Sequence, residues 1–288
     1  MITTASPHGL VVGDVVTLPT LTGGAGLTAS ATQHYFVATV PSATTLTLST
    51  GATKAGVSFT TDITGGTIKK VDVLKNGVVQ RSFYIEKKFA DLTKFLGYRG
   101  CTPDSMKLVF ESKKNVTIEF GFKGARGGST DASVATTTDA AGTAPIIKAG
   151  VSVGNIFING AATSEAIKKI ELDIALNAME VDKVDSLYTG QHGYGELRVS
   201  AQLLVYLQSL ELHDAMRANT PVSIEWTAGS VSGSTAGLYL FKIPSIVLKS
   251  SNPQASGKNT KVMSTIAGTA VYDSTNACAL RVNRINGA

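Results

Sequence analysis

Two carboxylates two residues apart, Glu171 and Asp173, are the first candidates for chemistry in this 288-residue chain. On a strand such a pair shares one face, and paired carboxylates can divide acid and base work between them. Nothing around them marks a pocket, however, and a charged, solvated wall accounts for them more simply. The histidines His8, His34, His192 and His213 have no second His, Cys or acid at a metal-binding spacing such as His-Glu-x-x-His. His192 lies in the glycine-rich turn Gly190-Gln-His-Gly-Tyr-Gly, and His213, beside Leu212 and Asp214, suits packing or capping. Gly121-Phe-Lys-Gly-Ala-Arg-Gly-Gly lacks the Lys-Ser/Thr and the following helix that a phosphate-cradling loop needs. There is no Gly-x-Ser-x-Gly elbow. The residues point to no enzyme, no cofactor and no metal.

The elements that carry these residues are strands. Glu196, Arg198, Ser200 and Gln202 alternate with Leu197, Val199, Ala201 and Leu203, the period of a sheet strand with one polar and one apolar face, here spanning Glu196 to Gln208. Ser209 to Arg217 reads as a short helix, with Leu210, Leu212, His213 and Met216 on one side. Val222 to Trp226 is a further strand. Glu171 and Asp173 alternate with Ile170, Leu172 and Ile174 in a strand over Ala166 to Leu176. Strands are also expected at Ser105 to Glu111 and Val116 to Phe122, where Thr117 and Glu119 face away from Ile118 and Phe120. Asn76–Gly77 predicts a hairpin between Lys70–Leu74 and Val78–Ile85, and Phe89 to Phe95 a short helix ended at Gly97. Leu238 to Ile243 and Ile246 to Lys249 are strands interrupted by Pro244. Lys261 to Val271 and Ala279 to Ile285 close the series.

Composition sets the organisation. Charged residues make up only 16 % and glycines number 29, which suits sheets joined by many turns. Residues 1–67 carry only Asp14, Lys54 and Asp62 as charged side chains and read as a small β module with turns at Gly23–Gly24 and Gly65–Gly66. Residues 68–126 form a second block and 151–288 a third. Between them, 127–150 is a Gly/Ala/Ser/Thr-rich linker, or an arm ordered by a partner subunit. The second and third blocks share an order of elements, strand, helix, Pro, strand, strand, which suggests a duplication. The net charge of +5 is local: Lys69 to Arg126 carries 13 basic and 6 acidic residues. From Glu171 to Glu196 the acids Glu171, Asp173, Glu180, Asp182, Asp185 and Glu196 face only Lys183. No dense Lys/Arg run with interleaved aromatics marks a nucleic-acid binder. Cys101 and Cys278 have no Cys-x-x-Cys companion and read as reduced and partly buried. Neither a signal peptide nor a membrane span is expected, and synthesis in the cytoplasm follows.

Several of these segments also carry a family likeness. Val78-Val-Gln-Arg-Ser-Phe-Tyr-Ile-Glu-Lys-Lys-Phe-Ala-Asp-Leu-Thr-Lys-Phe-Leu-Gly-Tyr-Arg-Gly resembles the opening of the major tail tube proteins of long-tailed (siphovirus-type) bacteriophages. Asp104-Ser-Met-Lys-Leu and Val116-Thr-Ile-Glu-Phe-Gly-Phe-Lys-Gly are similar to their next strands. Gly195-Glu-Leu-Arg-Val-Ser-Ala-Gln-Leu-Leu-Val-Tyr-Leu, the helix Leu210 to Met216, and Phe241-Lys-Ile-Pro-Ser-Ile through Cys278-Ala-Leu-Arg-Val-Asn-Arg-Ile285 continue the likeness over 71–288. Residues 1–67 lie outside it and resemble exterior β decorations of tail proteins.

The resemblance implies a mainly β fold, a tail-tube β-sandwich or barrel, duplicated, with short helices and the extra N-terminal module. It implies self-assembly into rings, trimers imitating sixfold symmetry in preference to hexamers, and stacking of the rings into a virion tail tube. Double-stranded DNA would pass through without specific binding, and a tape measure protein and a tail terminator are further partners. In that setting Thr117, Glu119, Glu171, Asp173, Glu196, Arg198, Ser200 and Gln202 are expected to line the channel, with Arg198 paired to Glu196 or a neighbouring acid. Lys87 and Lys88 are expected to meet Asp182 and Asp185 between subunits. A capsid decoration or fibre-associated protein that attaches through 1–67 is the other reading.

Overall fold

The computed structural model describes residues 1–50, 56–58, 61–77, 79–140, 146–163, 165–230, 237–255, 257–258 and 260–286. The chain opens with β1 (Ile2–Thr3), β2 (Val15–Gly23), β3 (Ser30–Ser42), β4 (Thr45–Ser49) and β5 (Ile63–Lys70), which make a five-stranded antiparallel sheet in the order β1-β4-β3-β2-β5. Next come β6 (Asp72–Lys75), β7 (Phe83–Phe89), β8 (Lys94–Glu111), β9 (Thr117–Lys123), β10 (Arg126–Thr130), β11 (Val153–Ile158), β12 (Ala161–Ala162) and β13 (Ala166–Ala175). The remainder is β14 (Met179–Val181), β15 (Gln191–Gly193), β16 (Arg198–Tyr206), the helix α1 (Glu211–Arg217), β17 (Val222–Ser230), β18 (Gly237–Gln254), β19 (Met263–Ala270) and β20 (Arg281–Asn286). Apart from the β14–β15 hairpin, these strands belong to one 13-stranded sheet, ordered β10-β8-β13-β16-β19-β18-β17-β11-β12 along its main path. No helix among the described residues is long and apolar enough to cross a membrane.

That sheet buries itself by curling over. β18 pairs with β17 through its first half and with β19 through its second, the latter with a register shift between Leu248 and Ser250. The two halves of the sheet therefore face one another across one core. Leu108, Phe110, Ile170 and Leu172 from one side meet Ile224, Trp226, Phe241 and Ile243 from the other. Trp226 stacks on Phe241 at 5.1 Å between centroids, and Phe110 sets its edge against both. The fold is mainly β and sandwich-like. Strands from 72–130 and from 153–286 share this single sheet and core.

The period-two segments form the strands expected of them, while four local signals lose to longer-range pairing. Phe89 to Phe95 is not a helix: β7 and β8 are the arms of a hairpin closed by the Phe89–Lys94 pair, with Thr93 at φ 48°. A helix of that length would leave most of its backbone groups unpaired, whereas the ladder satisfies them along both arms. The helix called for by the repeat comparison in its first copy is thus this turn. Asn76–Gly77 does not join two paired strands either, because β6 pairs with the C-terminal β20 and the Asn76 amide oxygen accepts from the Ala279 N–H; Val78 lies outside the described residues. Gly65–Gly66 sits inside β5, where a Cβ on Gly66 would lie 2.6 Å from the Thr20 carbonyl oxygen of β2. Pro244 lies within the continuous β18, between the last residue paired to β20 (Lys242) and the first paired to β19 (Ile246), and opposite a register shift in β17. A residue without an N–H fits only at such a handover.

The helix α1 follows β16 at a corner held by Glu165. This buried carboxylate accepts from the Gln208 and Ser209 N–H groups and from the Ser209 hydroxyl. Cys101 and Cys278 are both buried and free.

The N-terminal sheet has its own core of Leu10, Val16, Leu18, Tyr35, Val37, Leu46 and Leu48. It rests on the outer face of β18 and β20 through Val15, Val71, Leu238, Leu240 and Ile285. Beside that contact Asp14, 3 % exposed, receives Lys70 at 2.7 Å, Arg281 at 3.2 Å and the Val11 N–H at 3.0 Å. Burial alone would raise the Asp14 carboxyl, but the Lys70 and Val11 hydrogen bonds and the two cations outweigh it and hold it below the usual value. Asp14→Asn is expected to cost about 3 kcal/mol, since Arg281 is left buried without its counterion. The sign with pH follows from the depressed carboxyl. The stabilisation is complete above the unfolded value of about 3.9 and is lost as pH falls through the lower folded one. Urea melts from pH 7 to pH 2 should show a smaller acid-side loss in the variant than in the unaltered chain, since other carboxyls such as Glu171 are also held below their ordinary values.

Candidate functional site

The feature that the fold builds from chemically active side chains is a polar sheet face. Strands β9, β8, β13, β16 and β19 are neighbours, and their registers place residues in rows on one face. One row reads Glu119, Lys107, Asp173, Ser200, Thr269; the next reads Thr117, Val109, Glu171, Gln202, Ala267. A third holds Gly121, Ser105, Ala175 and Arg198. The alternate residues Leu108, Leu172, Val199, Ala201 and Leu203 enter the core behind. This one-sidedness follows from the period of two.

Thr117, Glu119, Glu171, Asp173, Arg198, Ser200 and Gln202 therefore share the face. Glu196 lies ahead of β16, exposed, with its backbone carbonyl accepting from the Asn177 side chain at 2.7 Å. Among the described residues no ion pair joins Arg198 to Glu196 or to another acid, which corrects the expected pairing: Arg198 sits opposite Ala175, at the end of the ladder.

Two lysines that the sequence reading passed over organise the centre of the face. Lys107 binds Glu171 and stands 3.8 Å from Asp173, while Lys169 binds Glu171 from the other side. Both were legible in principle. Lys107 occupies a polar position in the alternation Ser105, Lys107, Val109, Glu111 against Met106, Leu108 and Phe110. Hydrogen bonds from Lys107 and then Lys169 hold the Glu171 carboxyl below its ordinary range against the opposing effect of burial. The same bond to Glu171, with the charge of Asp173, raises the Lys107 ammonium. Along the margin Glu111 binds Lys114 at 2.9 Å. The cations near the centre are thus each held by a carboxylate of the same face.

The expected intersubunit residues lie elsewhere. Lys87 and Lys88 sit on β7, above the rings of Phe89 and Phe95 at 5.0 and 5.9 Å. Asp182 and Asp185 are exposed on the β14–β15 hairpin, where Asp182 accepts from Thr189. Basic and acidic segments already touch within one chain, through Lys107 with Glu171 and through Arg126 stacked over Tyr188 at 5.1 Å. The first part of 127–150 is mostly β10, and beyond it Asp131 binds Lys94 while Ser133 and Val134 donate to Glu86; residues 141–145 lie outside the described set.

A cleft of about 540 Å³ separates the N-terminal sheet from β17 and β18. The Glu225–Lys242 pair (2.6 Å) and the Arg281–Asn283 bond (3.1 Å) lie on its lining, and neither assembles a nucleophile with a base.

The search of curated proteins finds no match to this chain. The family model for the phage tail tube protein matches residues 8–270. The match takes in most of the N-terminal block, which the sequence resemblance had left outside, and it sets aside a capsid decoration or fibre-associated protein. The chain belongs to the phage tail tube protein family, and is accordingly a structural component of the virion tail that self-assembles into a tube.

Proposed function

We propose that the face carrying Glu171, Asp173, Ser200 and Gln202 lines the bore of a tube made of stacked rings of this chain, through which phage DNA leaves the virion. The observation that carries this reading is the charge compensation of that face, Lys107 and Lys169 being held by Glu171 and Asp173. A bore must not grip phosphate, and free lysines would do so in proportion to their number. Paired lysines on a polar sheet offer water and DNA a wetted wall whose central cations are neutralised, with Arg198 left, among the described residues, without an ion pair at the end of the ladder.

The finer features follow from the resemblance stated above. The virus is of the long-tailed type, the protein is made in the host cytoplasm, and the N-terminal sheet decorates the tube exterior. Three copies per ring imitating sixfold symmetry would need two like tube domains in each chain, and the single sheet and core shared by 72–130 and 153–286 weigh instead for six copies. A tape measure protein would occupy the bore during assembly and a tail terminator would cap the tube. Lys87, Lys88, Asp182 and Asp185 are offered as intersubunit charges, supported by their exposure on two separate hairpins.

An electron-microscopy reconstruction of tubes grown from the full chain tests the central reading. Asp173 and Gln202 are expected at the smallest radius and β2–β4 at the largest. A reconstruction with Asp173 on the outer surface would overturn it.

A further inference from the structure

Arg99 of β8 and Arg126 of β10 lie directly opposite one another in the register of these strands. Like charges in that position repel, so the pair is a cost unless a counter-charge offsets it. Among the described residues none does: neither guanidinium group has a carboxylate at ion-pair distance or a hydrogen-bond acceptor, and each lies over a tyrosine ring instead. Glu86, the acid in register with the neighbouring Gly97, has its oxygens engaged by the Ser133 hydroxyl at 2.6 Å and the Val134 N–H at 3.0 Å.

The local backbone leaves a space beside the two arginines. The next pair on the same face, two residues along each strand, is Gly97 opposite Gly128. A Cβ on Gly128 would meet nothing within 4 Å, and one on Gly97 would collide with the Tyr84 hydroxyl, which reaches over this bare floor. Stacking holds the arginines at the rim, Arg99 at 5.9 Å from the centre of the Tyr84 ring and Arg126 at 5.1 Å from that of Tyr188. The result is a cavity of about 170 Å³ whose charged lining groups are both cationic. It lies past the bend between β9 and β10, outside the rows of the polar face.

We propose that this cavity binds a single phosphate group between the guanidinium groups of Arg99 and Arg126. Its volume is well below the roughly 300–1,000 Å³ of sites that enclose a drug-sized molecule, so the occupant is one small oxyanion. A carboxylate offers two coplanar oxygens and satisfies one planar fork. A phosphate has further oxygens out of that plane for the second fork, and its second negative charge matches the second cation. The inference goes beyond the tube reading and does not depend on it.

Calorimetric titration of the full, unassembled chain with inorganic phosphate, at low salt in a phosphate-free buffer, is the test. A single saturable site per chain is expected. Arg99→Gln and Arg126→Gln should each weaken it by about tenfold or more. Arg217→Gln, which removes the same charge from the exposed end of α1, should leave it unchanged. Thermal melts give a second readout. Without phosphate Arg126→Gln should melt no lower than the unaltered chain, because an opposed pair of like charges has been relieved. With phosphate the unaltered chain should melt higher than before and the variant should not. An arginine that serves packing alone would lower the melt in both buffers, and that result overturns the proposal. So does the absence of saturable binding, or equal weakening by Arg217→Gln. Acetate binding as tightly as phosphate overturns the choice of ligand.

Discussion

Tubes assembled from a Glu171→Gln, Asp173→Asn double variant will retain double-stranded DNA that tubes of the unaltered chain do not. The substitutions keep the shape of both side chains and remove only their charge, so Lys107 and Lys169 stay on the face without the carboxylates that bind them. The face of each subunit then gains two units of positive charge, and every ring multiplies them. Binding through some six to ten phosphate contacts changes by roughly 10³ to 10⁵ between 50 and 200 mM salt. Retention of DNA in a pelleting assay should accordingly be strong at the lower salt and weak at the higher. Adding Lys107→Gln and Lys169→Gln should return the tubes to the unaltered behaviour. If the double-variant tubes leave DNA in the supernatant at 50 mM salt, the face does not control contact with DNA and its assignment to the bore fails.

Trp226→Ala is the substitution expected to cost most stability, about 3–5 kcal/mol. Trp226 is 1 % exposed and is the place where the curled sheet closes on itself: Phe110 from β8 and Phe241 from β18 both contact its ring. The loss combines a large cavity with two aromatic contacts of about 0.5–1.5 kcal/mol each. Domains of this kind are stable by only about 5–15 kcal/mol, so the variant should accumulate largely unfolded or aggregated. Trp226→Phe should cost much less. It keeps a ring in the stack and removes the indole N–H, which is buried without a hydrogen-bond partner. Urea unfolding of both variants measures the difference. A cost below about 1 kcal/mol for Trp226→Ala would mean that the two halves of the sheet are held together elsewhere.

These two predictions draw on different kinds of information. The charged face was legible from Glu171, Asp173, Ser200 and Gln202 because facing is a local property of a strand: each side chain reverses direction at every residue, whatever the strand pairs with. The same rule offered Lys107, whose place among acids depends on β8 lying between β9 and β13. Its partners are therefore a matter of pairing, and pairing is not local.

The misread segments share that cause. Phe89 to Phe95 has apolar residues at helical spacing, yet the hairpin with β8 satisfies more backbone groups. Asn76–Gly77 carries a good turn sequence, yet β6 finds its partner more than 200 residues away in β20. Each local preference is worth at most a few kcal/mol, and a full ladder with a buried face outweighs it.

The amino-acid sequence by itself determined that this protein is built of strands, where most of them run and which of their faces are wet. Only the tertiary structure decided that β18 serves both halves of one curled sheet, that Asp14 and Arg281 fasten the N-terminal sheet to β20, and that Arg126 lies opposite Arg99. The division has a physical basis. A side chain's facing is set by covalent geometry within two residues, whereas the partner of an edge is chosen by competition among all the edges in the chain.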